Sequence, residues 1–433
     1  MYVRNRVLSM GIIVFLIFVL LAGGCTARGT VPAPPILTPT PTPMPVPASP
    51  FGITTQAIFT GDLTRHIKVL GAKWMRADML WSVIEQAEGS YSWWPVDNLV
   101  NQAEAAGVEL VLLLSGYAPG AFSPAKPLYT SASPEAKLRG YENFWREMAR
   151  HYRGKIRYWQ IENEVTLKNF WGASLDDYLA VLKTACTTIK REDPESRVLL
   201  AGFATDAVLP LEQVQLLLEQ GRGYFDILDV HIYKPSETMD TTIAFFDEQM
   251  RLAGYERPVW ITETGAPQPC IYRSATEPPP EMQASEVVKR YTAALSAGAE
   301  RIFWFYLGGS IPQEDLVWKC TRPQQQSMQN FRHMALFRNG ERRLAFTTYQ
   351  VMVSRLEGFT ALSRLDLGKG VFAYRFRKPS GDVFVLWADR DMVVSLPVGA
   401  GRVTVTDIYG RTGDGEATRL PVTSLPIFVD GPP

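Results

Sequence analysis

The feature that most limits the fold of this 433-residue chain is a repeated alternation of strand-like and helix-like stretches. The strand-like runs are Phe51–Gln56, Trp74–Met79, Glu109–Ser115, Arg157–Glu164, Val198–Phe203, Phe225–Tyr233, Pro258–Glu263 and Arg301–Leu307. Each run is short and almost continuously apolar, which is typical of parallel strands buried on both faces. Eight strand–helix units within about 300 residues predict an α/β fold, a (β/α)8 TIM barrel over residues 51–358. Chemistry in such a barrel is expected at the C-terminal ends of the strands.

Local signals support the helices between these runs. Ser133 precedes Pro134, so one helix is expected to begin with an N-cap and a proline at its first position, and Gly154 lies just past its end. Ser174 is expected to cap a second helix, Leu175–Arg191. A doubly wound open sheet is the structural alternative, but no glycine-rich phosphate loop follows the first strand.

The alternation of strand-like and helix-like runs stops at residue 359. From there to residue 433 the pattern predicts a small all-β sandwich domain. The runs Val371–Phe376 and Val383–Trp387 flank Pro379-Ser380-Gly381-Asp382, which has the composition of a hairpin turn. Shorter strand-like runs follow up to residue 429. Carbohydrate binding is one interpretation of this domain, and a structural companion to the barrel is the one we favour.

The first 25 residues have the pattern of an export signal. Arg4 and Arg6 precede an apolar run, Val7–Ala22, that is too short to span a bilayer comfortably. The run closes on Leu21-Ala22-Gly23-Gly24-Cys25, which resembles a bacterial lipobox and implies lipidation at Cys25. Ala22 departs from that motif, so simple cleavage or a retained anchor stays open. We expect an exported protein, held at the cell surface as a lipoprotein or secreted.

Residues 26–50 form a Pro/Thr-rich linker. Its core, Thr38-Pro39-Thr40-Pro41-Thr42-Pro43, cannot build a helix or a sheet because proline lacks the backbone donor. Such a tract favours polyproline II and can hold a domain up to ~60 Å from a surface. A disordered tail without a spacer role is the alternative.

Composition excludes several classes of partner. Lys plus Arg and Asp plus Glu both total 44, so the chain has no net field to attract nucleic acid, and an uncharged substrate fits better. With four cysteines and four histidines and no metal-binding spacing, we expect neither a metal nor a cofactor. Cys186 lies mid-helix as a buried apolar residue, whereas Cys270 and Cys320 follow the seventh and eighth strands and are expected to form a disulfide in an exported chain.

Two glutamates carry the functional signal. Glu164 ends the fourth strand-like run after Asn163, and Glu263 ends the seventh, 99 positions later (263 − 164). Two carboxyl groups that face each other across a barrel mouth are the equipment of glycoside hydrolysis, with one as proton donor and one as nucleophile or base.

These two motifs resemble those of the clan A glycoside hydrolases, the four/seven barrel superfamily, and most of all families 39, 5 and 42. The resemblance covers roughly Phe51 to Glu357. It implies a retaining enzyme that acts on β-linked oligo- or polysaccharides, with Glu164 as general acid/base and Glu263 as nucleophile. We expect it to act as a monomer.

The resemblance also implies substrate-binding roles for five residues: Arg76, Asn163, His231, Tyr233 and Trp304. Arg76 matches an arginine that holds the nucleophile ionised, and Asn163 matches a residue that binds the sugar 2-hydroxyl. His231 and Tyr233 share a face of the sixth strand and match a His-x-Tyr pair near the cleaved bond. Trp304 is expected to floor the sugar subsite, with Tyr306 as the alternative.

Several alternatives stay open. Glu162 shares a face with Glu164 and is interpreted as a buried structural acid. Loop residues with a weaker claim to the barrel mouth are Tyr117, Phe122, Trp171 and Asp206. A transglycosylase of the same fold is one rival function, and an inert carbohydrate-binding surface lipoprotein is another. A binder does not require both acids, which argues against the second rival.

Overall fold

The computed structural model describes residues 49–55, 63–118, 132–311, 318, 331–399 and 401–431, all within one compact unit, Pro43–Pro433. The predicted export signal, the lipidation at Cys25 and nearly all of the linker lie outside these residues, as do Phe122 and Cys320. These predictions therefore stay predictions.

Eight parallel strands close into a barrel, as the alternation predicts. The strands are β1 Phe51–Thr55, β2 Trp74–Leu80, β3 Glu109–Ser115, β4 Tyr158–Ile161, β5 in two pieces Arg197–Leu199 and Phe203–Ala204, β6 Leu228–Ile232, β7 Val259–Thr264 and β8 Arg301–Phe305. Each strand pairs with its sequence neighbours, and β1 pairs with β8. The first piece of β5 pairs with β4 and the second with β6, so the ring has no open edge.

Eight long helices follow the strands. They are α1 Leu63–Leu70, α2 Trp94–Ala106, α3 Pro134–His151, α4 Leu175–Glu192, α5 Leu211–Gly221, α6 Met239–Leu252, α7 Pro280–Ser296 and α8 Leu344–Leu356. Ser133 caps α3 by accepting from the Ala136 N–H, and Ser174 forms a reciprocal capping box with Asp177 at the start of α4. Both predicted helix starts are confirmed.

Shorter elements lie in the connections. They are the helices Trp81–Ile84 and Pro269–Tyr272, the 3-10 turns Ser236–Thr238 and Arg332–Met334, the hairpin Glu85–Ala87 with Ser90–Tyr91, and a small sheet of Gly308–Gly309, Phe337–Arg338 and Glu341–Arg342. Within the described residues, no helix has both the length and the apolar character needed to cross a bilayer.

Aromatic side chains fill the lower part of the barrel interior. Trp74, Trp260 and Phe303 pack there together, and the Arg301 guanidinium lies 4.7 Å from the Trp74 ring centre and 5.4 Å from that of Trp260. A Cβ on Gly52 would lie 2.5 Å from the Phe303 ring, so only glycine fits there. Because strand side chains alternate, the interior residues above this aromatic layer are those at the C-terminal ends of the strands.

The C-terminal region is all-β, as predicted. Its strands are β9 Ala361–Leu365, β10 Val371–Lys378, β11 Gly381–Ala388, β12 Met392–Val394, β13 Arg402–Thr406, β14 Thr412–Glu416, β15 Leu420–Val422 and β16 Ile427–Asp430. Six of them form an antiparallel sheet in the order β9-β10-β11-β16-β13-β14, and β12 pairs with β15 as a ribbon. The sandwich is therefore unequal, because one face of the large sheet packs on the ribbon and the other on the barrel.

The sheet and the barrel share one apolar core. Phe376, Val385 and Trp387 belong to the same buried cluster as the barrel helices. Phe376 also meets Phe359, just past α8, edge to face at 5.0 Å between ring centres. This shared burial supports the interpretation of the domain as a structural companion.

We predict that the barrel and the C-terminal sheet unfold together. Phe376→Ala should lower the free energy of unfolding by about 3–5 kcal/mol, because it leaves a cavity in the shared core. Calorimetry should still show a single transition at a lower temperature. Val393→Ala is the control, since Val393 is exposed and its loss should change stability by less than about 0.5 kcal/mol. Two separate transitions in the parent protein would contradict a shared core.

Candidate active site

A β-bulge in β7 turns Glu263 into the barrel. Trp260 faces the interior, and strict alternation would then send Glu263 outward to the helices. The pairing register of β7 shifts against β6 between Trp260 and Glu263. A bulge inserts one residue and reverses the faces that follow it. Thr262 and Glu263 therefore both reach the interior, and the Thr264 hydroxyl donates to the Ile232 carbonyl instead.

Arg76 on β2 is the central cation of the site. Its Nη1 donates to Glu263 Oε1 at 2.7 Å, its Nη2 to Asn163 Oδ1 at 3.0 Å and its Nε to Gln160 Oε1 at 2.8 Å. The guanidinium is almost fully buried, so these three acceptors replace its water. The Tyr233 hydroxyl donates to the other Glu263 oxygen, Oε2, at 2.6 Å. Both oxygens of Glu263 thus accept from donors, which suits a carboxylate.

The two glutamates after β4 occupy strained backbone positions. Glu162 has φ 61° and Glu164 has φ 42°, a left-handed conformation that costs a non-glycine residue about 1–3 kcal/mol. The Glu162 carboxylate accepts from the backbone N–H groups of Gly116 and Tyr117, at 3.1 and 3.0 Å. Glu162 therefore anchors the end of β3, which agrees with the expected structural role, and burial raises its pKa to about 7.

Glu164 turns the other way, towards His231 and Glu263. Its Oε1 lies 2.7 Å from His231 Nδ1. One oxygen of Glu164, one oxygen of Glu263 and one nitrogen of His231 all lie within 4.8 Å of one another. Glu164 and Glu263 are 4% and 8% exposed, so both are buried among polar neighbours with a little surface left open.

Burial and charge set the protonation of this pair. Burial raises the pKa of Glu164 to about 7; the contact with His231 lowers it, and the charge of Glu263 raises it. Burial alone would lower the pKa of His231, but the charges of Glu263 and Asp229 and the hydrogen bonds that His231 makes to Asp229 and Glu164 raise it to about 10. These two raised pKa values favour an imidazolium beside a neutral carboxylic acid.

Two cations and two anions then balance in the site, Arg76 and His231 against Glu263 and Asp229. Balance matters because unpaired charge is costly in a buried environment. Glu164 is neutral in this arrangement and holds a transferable proton.

The structure contradicts the predicted role of Trp304 in the sugar subsite. It is fully buried on the helix side of β8, and its indole N–H donates to the Met334 carbonyl at 2.9 Å. Because Phe303 faces the interior, alternation returns the chain to the interior at Phe305 and not at Trp304. Phe305 packs edge to face on Tyr233 at 6.2 Å between ring centres and retains some exposure. The prediction that Trp304 floors the subsite is therefore wrong, and Phe305 is the aromatic residue of β8 that packs against Tyr233, the partner of Glu263.

The weaker loop candidates lie in different settings. Tyr117 is partly exposed and stacks between Trp81 and Trp171, at 6.0 and 6.3 Å between ring centres, and both indoles are buried. Asp206, after β5, is half-buried, and burial raises its pKa.

The cysteines follow part of the expectation. Cys186 is free and buried. Cys270 is disulfide-bonded, and its predicted partner Cys320 lies outside the described residues, so the pairing itself stays a prediction.

Three polar residues beneath the glutamates were missed from sequence. Gln160, Asp229 and Thr262 line the interior and join Arg76 to His231 through hydrogen bonds. The period-two pattern carries a signal for two of them, because Gln160 precedes Glu162 and Asp229 precedes His231 by two positions. A polar residue in an apolar strand, in phase with a candidate site residue, is that signal.

Glu164, His231 and Glu263 are also the group among the described residues with the spacing of metal ligands. Their atoms already face Arg76, Tyr233 and each other. A guanidinium bonded directly to one of the carboxylates opposes a second cation, so we assign no metal to this group.

Comparisons with known proteins agree with this fold. No family model matches the chain. A β-xylosidase from Caldicellulosiruptor saccharolyticus is 25% identical over 207 residues, which covers 42% of this chain and 42% of that protein. This chain thus matches less than half the length of that relative.

Solved structures align over most of the chain. A family 39 glycoside hydrolase from Bacteroides cellulosilyticus has a TM-score of 0.65 at 16% identity, covering 88% of this chain and 81% of its own. A family 39 β-xylosidase from Caulobacter crescentus has 0.59 at 15%, covering 91% and 98%. A family 51 α-L-arabinofuranosidase from Bifidobacterium longum has 0.60 at 12%, covering 90% and 97%. At these identities the likeness establishes the shared fold.

We predict that Gly202→Ala disrupts the site from below. A Cβ on Gly202 would lie 2.2 Å from His231 Nε2, so the imidazole must leave its present position between Glu164 and Asp229. We expect a loss of about 1–3 kcal/mol in stability, measured by chemical denaturation, and a displaced His231 ring in a crystal structure. Gly223→Ala is the matched control, because a Cβ there meets no atom within 4 Å. An unmoved imidazole in Gly202→Ala would contradict the prediction.

Proposed function

We propose that this protein is a retaining glycoside hydrolase that cleaves O-glycosidic bonds by double displacement. One observation carries the proposal: two buried carboxyl groups approach within 4.8 Å, and burial raises the pKa of Glu164 whereas Glu263 accepts hydrogen bonds from Arg76 and Tyr233. Carboxyl groups about 5–5.5 Å apart suit a retaining mechanism, whereas inversion needs a wider gap for water. The fold shared with glycoside hydrolases supports the proposal.

Glu263 is the nucleophile in this mechanism. Arg76 and Tyr233 orient its carboxylate and keep it charged for attack on the anomeric carbon. As the carbon–Glu263 bond forms, the bond to the leaving oxygen breaks, and Glu164 gives its proton to that oxygen. Water then attacks the glycosyl-enzyme, Glu164 takes a proton from the water, and Glu263 departs as a carboxylate.

Asn163 is positioned to bind the sugar beside the reacting carbon. Its Oδ1 accepts from Arg76, which turns its amide N–H groups away from the guanidinium. A donor in that place can bond the 2-hydroxyl, a contact that strengthens in an oxocarbenium-like transition state. Phe305, next to Tyr233, offers an apolar surface for a sugar ring.

The substrate class we propose is an uncharged, β-linked oligo- or polysaccharide, with β-xylosides tested first. The balance of 44 basic and 44 acidic residues supports an uncharged substrate. The similarity to a β-xylosidase supports the choice of sugar. The predicted export signal at the N-terminus supports a lipid-anchored or secreted protein that acts outside the cell. A fractionation of the full chain tests this location.

We predict different defects for the two acids on aryl β-glycosides. Glu263→Ala should lose nearly all activity on every substrate, because no nucleophile remains. Glu164→Ala should keep more activity on aryl groups with acidic phenols, which leave without protonation. NMR of the products formed by the parent should show the β-anomer of the released sugar first, as retention requires. Product analysis with added acceptor sugars should separate hydrolysis from transglycosylation. If Glu263→Ala works as fast as the parent, the proposed mechanism is wrong.

We predict an alkaline limit to kcat/KM near pH 7. The folded pKa of Glu164 is raised to about 7, so the protonated acid is present below that pH and is lost as pH rises through it. The rate on substrates with poor leaving groups should then fall about tenfold per pH unit. Substrates with acidic phenols are the control. Such phenols leave without protonation, so the alkaline limb of their kcat/KM profile should be shallower. An alkaline limb near pH 4.5 would show that burial does not hold the proton on Glu164.

A further inference from the structure

Asp229 is a charged residue enclosed beneath the proposed active site. It lies on β6 and has no exposed surface. Its Oδ2 lies 2.6 Å from Gln160 Nε2, 2.7 Å from the Thr262 hydroxyl and 3.3 Å from His231 Nε2, and its Oδ1 lies 3.1 Å from the Thr262 backbone nitrogen. None of these contacts is part of the displacement chemistry.

The surrounding groups require Asp229 to act as an acceptor. Gln160 presents its Oε1 to Arg76, which leaves its NH2 group facing Asp229, and the Thr262 backbone N–H can only donate. With the Thr262 hydroxyl, three donors therefore face this buried carboxyl group, and hydrogen bonds of that kind favour the ionised form. A fully buried carboxylate also needs a counter-charge, and the group in contact that can supply one is His231.

His231 is held between two acids with both ring nitrogens engaged. Nδ1 meets Glu164, while Nε2 meets Asp229 and the Thr262 oxygen, at 3.1 Å to the latter. The Thr262 hydroxyl donates its proton to Asp229, so its oxygen accepts from Nε2. We propose that Asp229 is a positioning residue that keeps His231 doubly protonated, so that the acid Glu164 always faces a fixed positive charge.

The consequence, which rests on the proposed function, is control over the pH range of the acid. An imidazolium in contact with Glu164 opposes the effect of burial on that carboxyl group. Without Asp229, His231 would become neutral and Glu164 would hold its proton to higher pH. It would then be a weaker acid for the departing oxygen and a poorer match to neutral pH.

Other polar groups from neighbouring elements also face Glu164 and His231. Glu263 on β7 lies 3.6 Å from His231 Nδ1. The remaining groups are Asp206 after β5, Tyr233 directly after β6 and Arg76 on β2. Asp229 differs from them because it contacts His231 from below, away from the substrate. Its charge therefore persists when a sugar or a glycosyl-enzyme changes the surroundings of Glu263.

A purely structural role for Asp229 is the rival explanation. Its two contacts with Thr262 tie β6 to the bulge in β7, and that tie alone would explain its burial. The two explanations differ in what happens to the proton on His231, and not in stability. The test therefore measures that proton directly.

The experiment is an NMR titration of the full chain labelled with ring nitrogen-15 histidine. The chain has four histidines, and His66→Gln, His151→Gln and His333→Gln assign their own signals and leave that of His231. We expect both nitrogens of His231 to stay protonated from pH 5.5 to 8.5 in the parent. In Asp229→Asn, His231 should lose one ring proton within this pH range and should already be neutral at about pH 7.

The pH profile of kcat/KM supplies the second readout. Its alkaline limb should move up by about one unit in Asp229→Asn, since Glu164 loses a neighbouring cation. Asp226→Asn is the matched control, because Asp226 lies just before β6 but faces Lys190 and Arg197 on the outside. It should leave both the titration and the profile unchanged.

The outcomes separate this proposal from the proposed function. A neutral His231 at pH 6 in the parent overturns the proposal, as does an unchanged titration in a folded Asp229→Asn. If the alkaline limb of the kcat/KM profile of Asp229→Asn stays in place or moves to lower pH, the link between Asp229 and Glu164 is wrong. If Asp229→Asn does not fold, the titration of the parent decides. If no glycoside is cleaved, the proposed function fails, whereas the NMR result still decides whether Asp229 charges His231.

Discussion

The ion pair between Arg76 and Glu263 is the interaction around which the rest of the site is arranged. A guanidinium removed from water costs several kcal/mol unless each of its nitrogens has a hydrogen-bond acceptor. Arg76 meets that requirement with acceptors from three elements, Gln160 on β4, Asn163 after it and Glu263 on β7. Each of these acceptors is thereby fixed in place. The arrangement of the Asn163 amide and the Glu263 carboxylate follows from the need to solvate one buried cation.

The backbone departs from regular geometry where the site needs it. The bulge in β7 brings Glu263 to the interior, and the left-handed conformations after β4 turn Glu162 and Glu164 in different directions. Regular strands could not present both acids at this separation, because alternation would send one of them outward. The barrel provides a rigid frame, and the irregular backbone positions orient the glutamate side chains within it.

Much of the fold was predictable because it depends on patterns that the sequence carries locally. Apolar runs, caps and turn residues located eight strands and the starts of α3 and α4. The residues at strand ends were predictable in the same way, and the structure brings Arg76, Asn163, Glu164, His231, Tyr233 and Glu263 into one constellation.

What failed was the choice of face where the alternation breaks or must be counted from a distant residue. Trp304 was assigned to the wrong face of β8. The phase of this strand is set by Phe303, which packs in the barrel floor, and the local sequence does not show which of the two aromatic residues does so. The bulge at Thr262 has no local signal, since it arises from pairing with two other strands. Asp229 was overlooked although it lies in phase with His231, because the contacts that define its role come from Gln160 and Thr262 on other strands.

The lower half of the barrel explains why charge balance is so strict in the upper half. Trp74, Trp260 and Phe303 exclude water beneath the site, and even the cation that enters this layer, Arg301, lies against aromatic faces. Electrostatic interactions strengthen in such surroundings, and an excess charge is costly. With Arg76 and Glu263 paired and Asp229 facing His231, a negative Glu164 would be the unbalanced charge. The proton on Glu164 removes that imbalance, so the packing of the barrel floor and the acidity of a group at its mouth are linked.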